Sequence, residues 1–264
     1  MEIIKKRKSV RTYDKKEISE ETMEKLLKFI KNIEKIHKDY SFPIFHSDID
    51  GQVGTYGVIS GGSTYISGVL KNHNADLIQL GYLFEKIILF ATSLDLGTCW
   101  LGGTFNKSDF IEKSRLSHGE TFICASPIGY AAEKRTIRDR AMRRIAKSDG
   151  RKDFNELFFN KDLKALNKMD LGIYGKALEM VRIGPSASNK QPWRIIKDEN
   201  LYHLYLERTP DYAKVLDYDI QLLDMGIAKY HFEFTLKENN IDGNWHTLND
   251  YPKHNNFKYI STWK

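Results

Sequence analysis

An internal repeat constrains this chain more than any other feature of its sequence. A shift of 145 residues superimposes three pairs of identical residues: Leu77 on Leu222, Gly81 on Gly226 and Trp100 on Trp245. Each copy has a helical pattern with a glycine inside it and a tryptophan 19 residues after that glycine. A glycine within a helix costs about 1 kcal/mol relative to alanine, so its recurrence indicates close helix–helix approach. We interpret the pattern as a tandem duplication, with halves at 1–160 and 161–264; a chance match is the alternative.

Apolar periodicity and capping residues predict a similar order of elements in both halves. In the first half they predict helices over 19–38 and 74–94 and strands over 56–60, 64–70 and 121–125. In the second half they predict helices over 173–183 and 217–240, a hairpin of 194–197 with 201–207, and a strand over 257–263.

Composition places the chain among ordinary globular proteins, because 41% of its 264 residues are hydrophobic and 29% are charged. The longest apolar block, 87–91, is far too short for a membrane helix, so we expect no membrane partner. The basic N-terminus is followed by no apolar stretch, which argues against a secretory signal. Cys99 and Cys124 form no metal spacing and no disulfide framework, and a cytoplasmic location is therefore expected.

Positive charge is concentrated in one segment. The chain carries a net charge of +6, and residues 134–152 alone contribute +7. Such a run fits a solvated helix face, a site for a phosphate, or a nucleic-acid surface. We expect no nucleic-acid partner, because no aromatic residues are interleaved with these charges.

Several common site motifs are incomplete in this chain. The run from Gly184 to Ser188 lacks the last glycine of the G-x-S-x-G turn that presents a hydrolase nucleophile. Ala177 follows Gly175-Lys176 where a phosphate-binding P-loop needs serine or threonine. The eight histidines form no ligand spacing, so no metal site is predicted.

Three segments remain as candidates for a binding site. The run Arg7-Lys8-Ser9-Val10-Arg11-Thr12-Tyr13 alternates basic and hydroxyl side chains, which suits a phosphate and an attached polyol. The run Pro185-Ser186-Ala187-Ser188-Asn189-Lys190-Gln191-Pro192-Trp193 is a short loop between two prolines, suited to a flat polar heterocycle. The run Leu96-Gly97-Thr98-Cys99-Trp100-Leu101-Gly102-Gly103 lets backbone amides approach a ligand closely.

Together these segments resemble the FMN-dependent nitroreductase family. The family has an R-R-S-x-R-x-F motif, a P-S-x-x-N-x-Q-P-W loop and a G-L-G-x-x-W-x-G-G run. The segment 151–157 is similar to a basic residue that the family carries before an acidic-hydrophobic turn. The resemblance implies an α+β fold, with a mixed, mainly antiparallel sheet wrapped by helices in two interlocked halves. It also implies that FMN is the cofactor and that NADH or NADPH is the reductant.

The resemblance carries cofactor-binding roles to these residues: Arg7, Lys8, Ser9, Arg11, Gly102, Gly103, Arg151, Pro185, Ser186, Ala187 and Asn189. By the resemblance, Arg7, Lys8 and Ser9 contact the phosphate and ribityl chain, with Arg151 as a further phosphate partner. Arg11 falls near the N1/O2 edge of the flavin, and the backbone of Gly103, with Gly102, falls near N5. The proline-flanked loop packs on the ring. No side chain is nominated as a catalytic acid or base.

The order of the motifs departs from the family pattern. In the family the P-S-x-x-N loop follows the first helix, but here residues 31–45 contain no such loop. It follows the corresponding helix of the second half instead, and residues 160–171 show no R-x-S-x-R motif. Family members are homodimers whose sites use both subunits. We therefore expect a monomeric pseudo-dimer, in which further oligomerisation stays open, with one composite flavin site per chain.

The predicted function is electron transfer from NADH or NADPH, through FMN, to a small acceptor such as a nitroaromatic or a quinone. Two alternatives stay open at this point. One is a flavin-binding protein with little or no reductase turnover. The other is a nucleic-acid binder that uses the basic segment 134–152.

Overall fold

The computed structural model describes residues 1–46, 55, 58–61, 64–103, 105–133, 150–210, 212 and 216–264. The chain divides into two compact units. We call Lys6–Lys147 the N-terminal unit, and Ser148–Lys264 together with Met1–Lys5 the C-terminal unit.

The N-terminal unit contains α2 (Glu20–Ile36), β1 (Tyr40–Ser41), β2 (Ile44–His46), β3 (Thr64–Leu70), α3 (Leu77–Ser93), β4 (Gly97–Thr98), α4 (Lys107–Ser114) and β5 (Thr121–Gly129). A short α1 (Glu2–Lys6) precedes them and spans the division between the units. The strand predicted at 56–60 is not formed in the described part, since residues 56 and 57 lie outside it and Ser60 makes only an isolated bridge to Thr12.

Local capping fixes where the two long helices of this unit begin. Ser19 accepts a hydrogen bond from the amide of Thr22 at the start of α2. Asp76 accepts one from the amide of Ile78, at 2.8 Å, at the start of α3. Side chains at such positions satisfy backbone donors that have no partner within the helix. The predicted helix at 74–94 therefore begins three residues later than its apolar pattern suggested.

The C-terminal unit contains α5 (Phe154–Leu157), β6 (Phe158–Asn160), α6 (Gly172–Arg182), β7 (Trp193–Asp198), β8 (Leu201–Leu206), α7 (Ile220–Glu238), β9 (Trp245–His246) and β10 (Lys258–Trp263). Short 3-10 turns precede α6 at Lys168–Leu171 and follow it at Ala187–Asn189. Its core includes Trp193, Trp263 and Phe232, none of which is more than 1% exposed.

Residues 150–160 belong with the C-terminal unit, whereas the sequence placed the division between 160 and 161. The reason is a strand pairing that the sequence did not predict. β6 pairs in parallel with β7, with Phe158 opposite Ile195. Phe158 is fully buried, so this segment contributes to the core of the C-terminal unit.

The two sheets have the same order of connections around their long helix. The N-terminal sheet runs β1-β3-β5-β4, with β2 also on β3, and the C-terminal sheet runs β6-β7-β8-β10-β9. In each, a strand leads into the long helix, a two-residue strand follows that helix, and the last strand lies between these two. All these pairings are antiparallel. The fold class is α+β with mainly antiparallel sheets, which confirms the prediction.

No helix in the described part of the chain is both long and apolar enough to cross a bilayer.

Candidate functional site

The basic motif of the N-terminal unit is held in an extended conformation by its backbone. The amide of Val10 donates to the carbonyl of Thr98 at 2.8 Å, and the amide of Tyr13 donates to that of Ser60 at 2.8 Å. The side chains of Val10 and Tyr13 are buried in the core. Between and before these apolar anchors, Arg11 and Ser9 are half-buried and Lys8 is exposed. Arg7 is 9% exposed, so most of its side chain lies against the protein rather than in solvent.

Gly97 of β4 packs closely against Val10 of the basic motif. A Cβ atom at Gly97 would lie 2.8 Å from Cγ2 of Val10. A side chain there would push the extended segment away from β4. Gly97 therefore acts on the site through Val10, a role that the glycine-run motif alone does not reveal.

The glycine run contains β4 and pairs with β5. Leu101 pairs with Ala125 of β5, and the amide of Cys99 donates to Oγ of Ser126 at 2.9 Å. The run then leaves the sheet, so that Gly102 is half-buried and Gly103 is exposed. Because Ser9 pairs with Thr98, the structure brings the basic motif and the glycine run to the same edge of the N-terminal sheet.

The predicted ring-binding loop connects α6 to β7 in the C-terminal unit. Three of its non-glycine residues, Ser188, Asn189 and Gln191, adopt positive φ angles of 46°, 54° and 50°. Such conformations cost on the order of 1–3 kcal/mol each and persist only where surrounding contacts enforce them. The loop is therefore a strained segment that depends on its tethers.

Contacts inside the loop and at its far end supply some of those tethers. Oγ of Ser186 accepts the amide of Gln191 at 2.9 Å, which closes the loop on itself. Arg194 is 4% exposed and donates to the carbonyls of Gln191, at 3.1 Å, and Trp193, at 2.6 Å. It also forms an ion pair with Glu207. Burial lowers the pKa of Arg194, and the charge of Glu207 opposes that effect.

Arg151 joins the same loop. Its Nη1 donates to Oδ1 of Asn189 at 3.0 Å and its Nη2 donates to the carbonyl of Ile183 at 3.3 Å. Nδ2 of Asn189 in turn donates to the carbonyl of Gly150 at 2.8 Å. Two residues that the resemblance assigned to opposite ends of FMN are therefore bonded to each other.

A buried acid of α7 accepts a hydrogen bond from the backbone of the loop, and the sequence analysis did not identify it. Asp224 of α7 is 2% exposed, and its Oδ1 accepts the amide of Ala187 at 2.9 Å. Burial raises the pKa of this carboxyl well above its usual range, while the bond from Ala187 acts in the opposite direction. The available signal was an acid inside a mainly apolar helical pattern, IQLLDMGIA.

The predicted site residues thus form two groups. The N-terminal unit places Arg7, Lys8, Ser9, Arg11, Gly102 and Gly103 around β4. The C-terminal unit places Arg151, Pro185, Ser186, Ala187 and Asn189 in and around the strained loop. A composite site built from both groups stays a prediction. Residues 134–149 of the basic segment lie outside the described residues.

Within the described part of the chain, no three His, Cys, Asp or Glu residues are grouped as metal ligands.

Comparisons with known proteins agree with this architecture. A family model described as "Putative TM nitroreductase" matches residues 1–236. A "putative nitroreductase" from Thermotoga maritima MSB8 has a similar structure, with 20% identity, a TM-score of 0.61, and coverage of 99% of this chain and 90% of that protein. A search of curated proteins gave no match.

Other solved structures match about half of the chain. A nitroreductase family protein from Clostridium novyi NT has 22% identity and a TM-score of 0.42, covering 50% of this chain and 84% of that one. An FMN-dependent nitroreductase from Clostridium difficile R20291 has 20% identity and a TM-score of 0.40, covering 51% and 88%. The family match spans most of the sequence and includes both candidate groups, and the chain therefore belongs to the nitroreductase family that this model describes.

Proposed function

We propose that this chain is an FMN-dependent oxidoreductase that takes electrons from NADH or NADPH and passes them to a small acceptor such as a nitroaromatic or a quinone. The observation that carries the proposal is the family match over residues 1–236. It includes the basic motif, the glycine run and the strained loop.

The donor set of the N-terminal unit fits a phosphate ester. Arg7 is a buried guanidinium, Ser9 is a half-buried hydroxyl, and Lys8 adds an exposed cation beside them. Guanidinium groups bind phosphate oxygens through two parallel hydrogen bonds, and a hydroxyl can bind a polyol chain. We assign Arg7, Lys8 and Ser9 to the phosphate and ribityl chain of FMN.

The loop of the C-terminal unit fits a flat ring. Its tethers fix it before any ligand binds, which lowers the entropy lost on binding. Pro185, Ser186 and Ala187 carry small side chains that allow close contact with a planar heterocycle. We propose that Asn189 contacts the ring, and that Arg151 contributes mainly by holding Asn189 at 3.0 Å.

Bound FMN would accept a hydride and release electrons to the acceptor, and the protein's task is to bind and orient it. Arg11 is half-buried on the extended segment, and its cation would stabilise negative charge that develops on the ring. The backbone amides of Gly102 and Gly103 would offer hydrogen bonds at the ring edge. No residue of the described site is assigned as a general acid or base.

We also propose a single composite site per chain. Only one pairing of the groups supplies both the basic motif and the loop, because residues 37–39 directly join α2 to β1 where the C-terminal unit has its long loop. The proposed duplication would then give a pseudo-dimer with one FMN. Flavin released from the saturated, denatured protein should amount to about one equivalent per chain, and two equivalents would contradict the composite site.

The function is tested by the absorbance of the protein reconstituted with FMN. We expect a flavin spectrum that NADH or NADPH bleaches under anaerobic conditions and that a nitroaromatic or quinone restores. Free FMN at the same concentration is the control for non-enzymatic reduction. A bound flavin that neither nicotinamide reduces would favour the passive flavin-binding protein instead.

A further inference from the structure

The loop between α6 and β7 needs an anchor near its first turn. Its three positive φ angles at Ser188, Asn189 and Gln191 store strain, and the contacts of Arg194, to the carbonyls of Gln191 and Trp193, lie at the end of that run. Nearer the start of the loop, Arg151 donates to the carbonyl of Ile183, and the buried side chain of Asp224 binds the backbone next to these angles. The amide of Ala187 donates to Oδ1 of Asp224 at 2.9 Å.

Asp224 stands on the buried face of α7 and is enclosed by protein. Among the described residues, no hydrogen-bond partner lies within reach of its Oδ2, and no cationic side chain forms an ion pair with it. An ionised carboxylate in such a place would cost several kcal/mol. A neutral carboxylic acid can still accept the amide hydrogen through Oδ1, at a much lower desolvation cost.

The charged groups around Asp224 favour the same state. Asp219 caps the N-terminus of α7, and its negative charge raises the pKa of Asp224 further. On the loop side, Tyr212 lies near enough for the charge of Asp224 to raise the pKa of its phenol, and it donates to Oγ of Ser188 at 2.8 Å. Neither neighbour supplies positive charge. Of the described groups, these two neighbours therefore give an ionised Asp224 no compensation; the nearby cation Lys190 lies over the ring of Tyr212, 5.8 Å from its centroid.

We infer that Asp224 is a positioning residue: as a neutral carboxylic acid, it accepts the amide hydrogen of Ala187 and holds the start of the loop in its flavin-binding conformation. This inference rests on the proposed function only for the identity of the ligand that the loop binds. The anchoring of Ala187 is a property of the protein without cofactor, and it can be tested separately.

Two substitutions separate the bond from the charge. Asp224→Asn keeps an acceptor oxygen and is neutral, so amide exchange at Ala187 should stay within about twofold of the wild type. Asp224→Leu keeps the branched shape and the number of heavy atoms but replaces both acceptor oxygens with methyl groups, so exchange at Ala187 should become at least about tenfold faster. The dissociation constant for FMN should follow the same pattern. Glu233→Gln is the matched control, because it neutralises another acid of α7 that pairs with Lys237 at 2.5 Å.

Exchange is measured on the full chain without cofactor, and FMN titrations follow on the same samples. The inference is overturned if Asp224→Asn behaves like Asp224→Leu, because the charge would then be what matters. It is also overturned if Asp224→Leu leaves exchange at Ala187 unchanged. If the wild type binds no FMN, the proposed function fails, yet the exchange data still decide whether Asp224 anchors the loop.

A spectroscopic measurement keeps the inference testable even if Asp224→Leu does not fold. The infrared difference spectrum between the wild type and Asp224→Asn at pH 7 should contain the carbonyl band of one protonated carboxylic acid. A carboxylate band in its place would show that Asp224 is ionised and would overturn the inference.

Discussion

The two units share a sequence of strand, long helix, short strand and last strand, but they differ in how the preceding helix joins the sheet. In the N-terminal unit, α2 reaches β1 through residues 37–39. In the C-terminal unit, α6 reaches β7 through residues 183–192, which form the strained loop. The same topology therefore accommodates either a minimal connection or a preformed binding loop.

The units also use the buried acid of their long helix in different ways. In α3, Glu85 is fully buried and accepts the indole N–H of Trp100 at 2.7 Å. In α7, Asp224 accepts a backbone amide of the loop. Trp245, the repeat partner of Trp100, has a buried Nε1 with no hydrogen-bond partner among the described residues. Two units with the same strand order therefore use a buried acid differently: in one it binds a tryptophan side chain and stabilises the core, and in the other it holds a loop.

The largest effect on the free energy of unfolding should distinguish the residues that follow the two connections, α6 to β7 and α2 to β1. Trp193 begins β7 and is fully buried, whereas Tyr40 begins β1 and donates to the carbonyl of Asp76 at 3.1 Å. Trp193→Ala should lower the free energy of unfolding by about 3–5 kcal/mol, the usual cost of removing a large buried side chain. Tyr40→Phe should cost about 1 kcal/mol, for one lost hydrogen bond. Denaturant titration measures both free energies of unfolding. Equal losses would show that the residues after the two connections contribute equally to stability.

Arg7 and Lys8 differ in burial, which should separate their contributions to FMN binding. Arg7→Ala should weaken binding by about 1.5–3 kcal/mol, the range for a hydrogen bond to a charged group. Lys8→Ala should weaken it by no more than about fivefold, and less so at high salt. Fluorescence titration of FMN provides the measurement, with thermal unfolding as the control for stability. Equal effects would show that burial does not distinguish the two cations.

The paired tryptophans offer a sharper test of the repeat. Trp100→Phe removes one donor from the buried carboxyl of Glu85 and should cost about 1–3 kcal/mol. Trp245→Phe removes no hydrogen bond found in the described part and keeps an aromatic ring beside Lys229 and Trp263. It should cost about 1 kcal/mol or less, for a weaker cation–π contact and a smaller ring surface. Denaturation of both variants decides whether the two positions are energetically equivalent.

The smallest effect is expected from Asp224→Asn near pH 4, and it should grow as the pH rises. The raised pKa of Asp224 means that the unfolded chain loses this proton at a lower pH than the folded protein does. The wild type therefore loses stability, relative to the variant, as the pH rises from the unfolded pKa towards the folded one. Parallel urea titrations from pH 4 to 8 measure the difference, and a constant difference would contradict a neutral Asp224.

The sequence predicted the longer helices α2, α3, α6 and α7, because caps and apolar periodicity are local properties, and it did not predict the shorter α1, α4 and α5. The predicted 173–183 and 217–240 correspond to α6 and α7 with small shifts at their ends. The strand predicted at 121–125 continues to Gly129, because Pro127 is accommodated opposite Tyr65 in the sheet. A proline usually argues against a central strand, and the predicted strand ends before Pro127.

Features that depend on distant partners were not predictable in the same way. The parallel pairing of Phe158 with Ile195 and the bond from Ala187 to Asp224 each join segments that are 37 residues apart in the chain. The amino-acid types of these four residues do not indicate which distant residue each of them contacts. The candidate cofactor residues came instead from the family resemblance, and the structure adds the contacts that hold them, such as that of Arg151 with Asn189.

The order of the strands has a consequence for how the protein is synthesised. Each sheet has its last-made strand, β5 or β10, between two strands that leave the ribosome earlier. Until that strand emerges, the open edge of β3 or β8 is available to wrong partners, and unpaired edges promote aggregation. A translational pause before residue 121 or residue 258 would prolong that exposure.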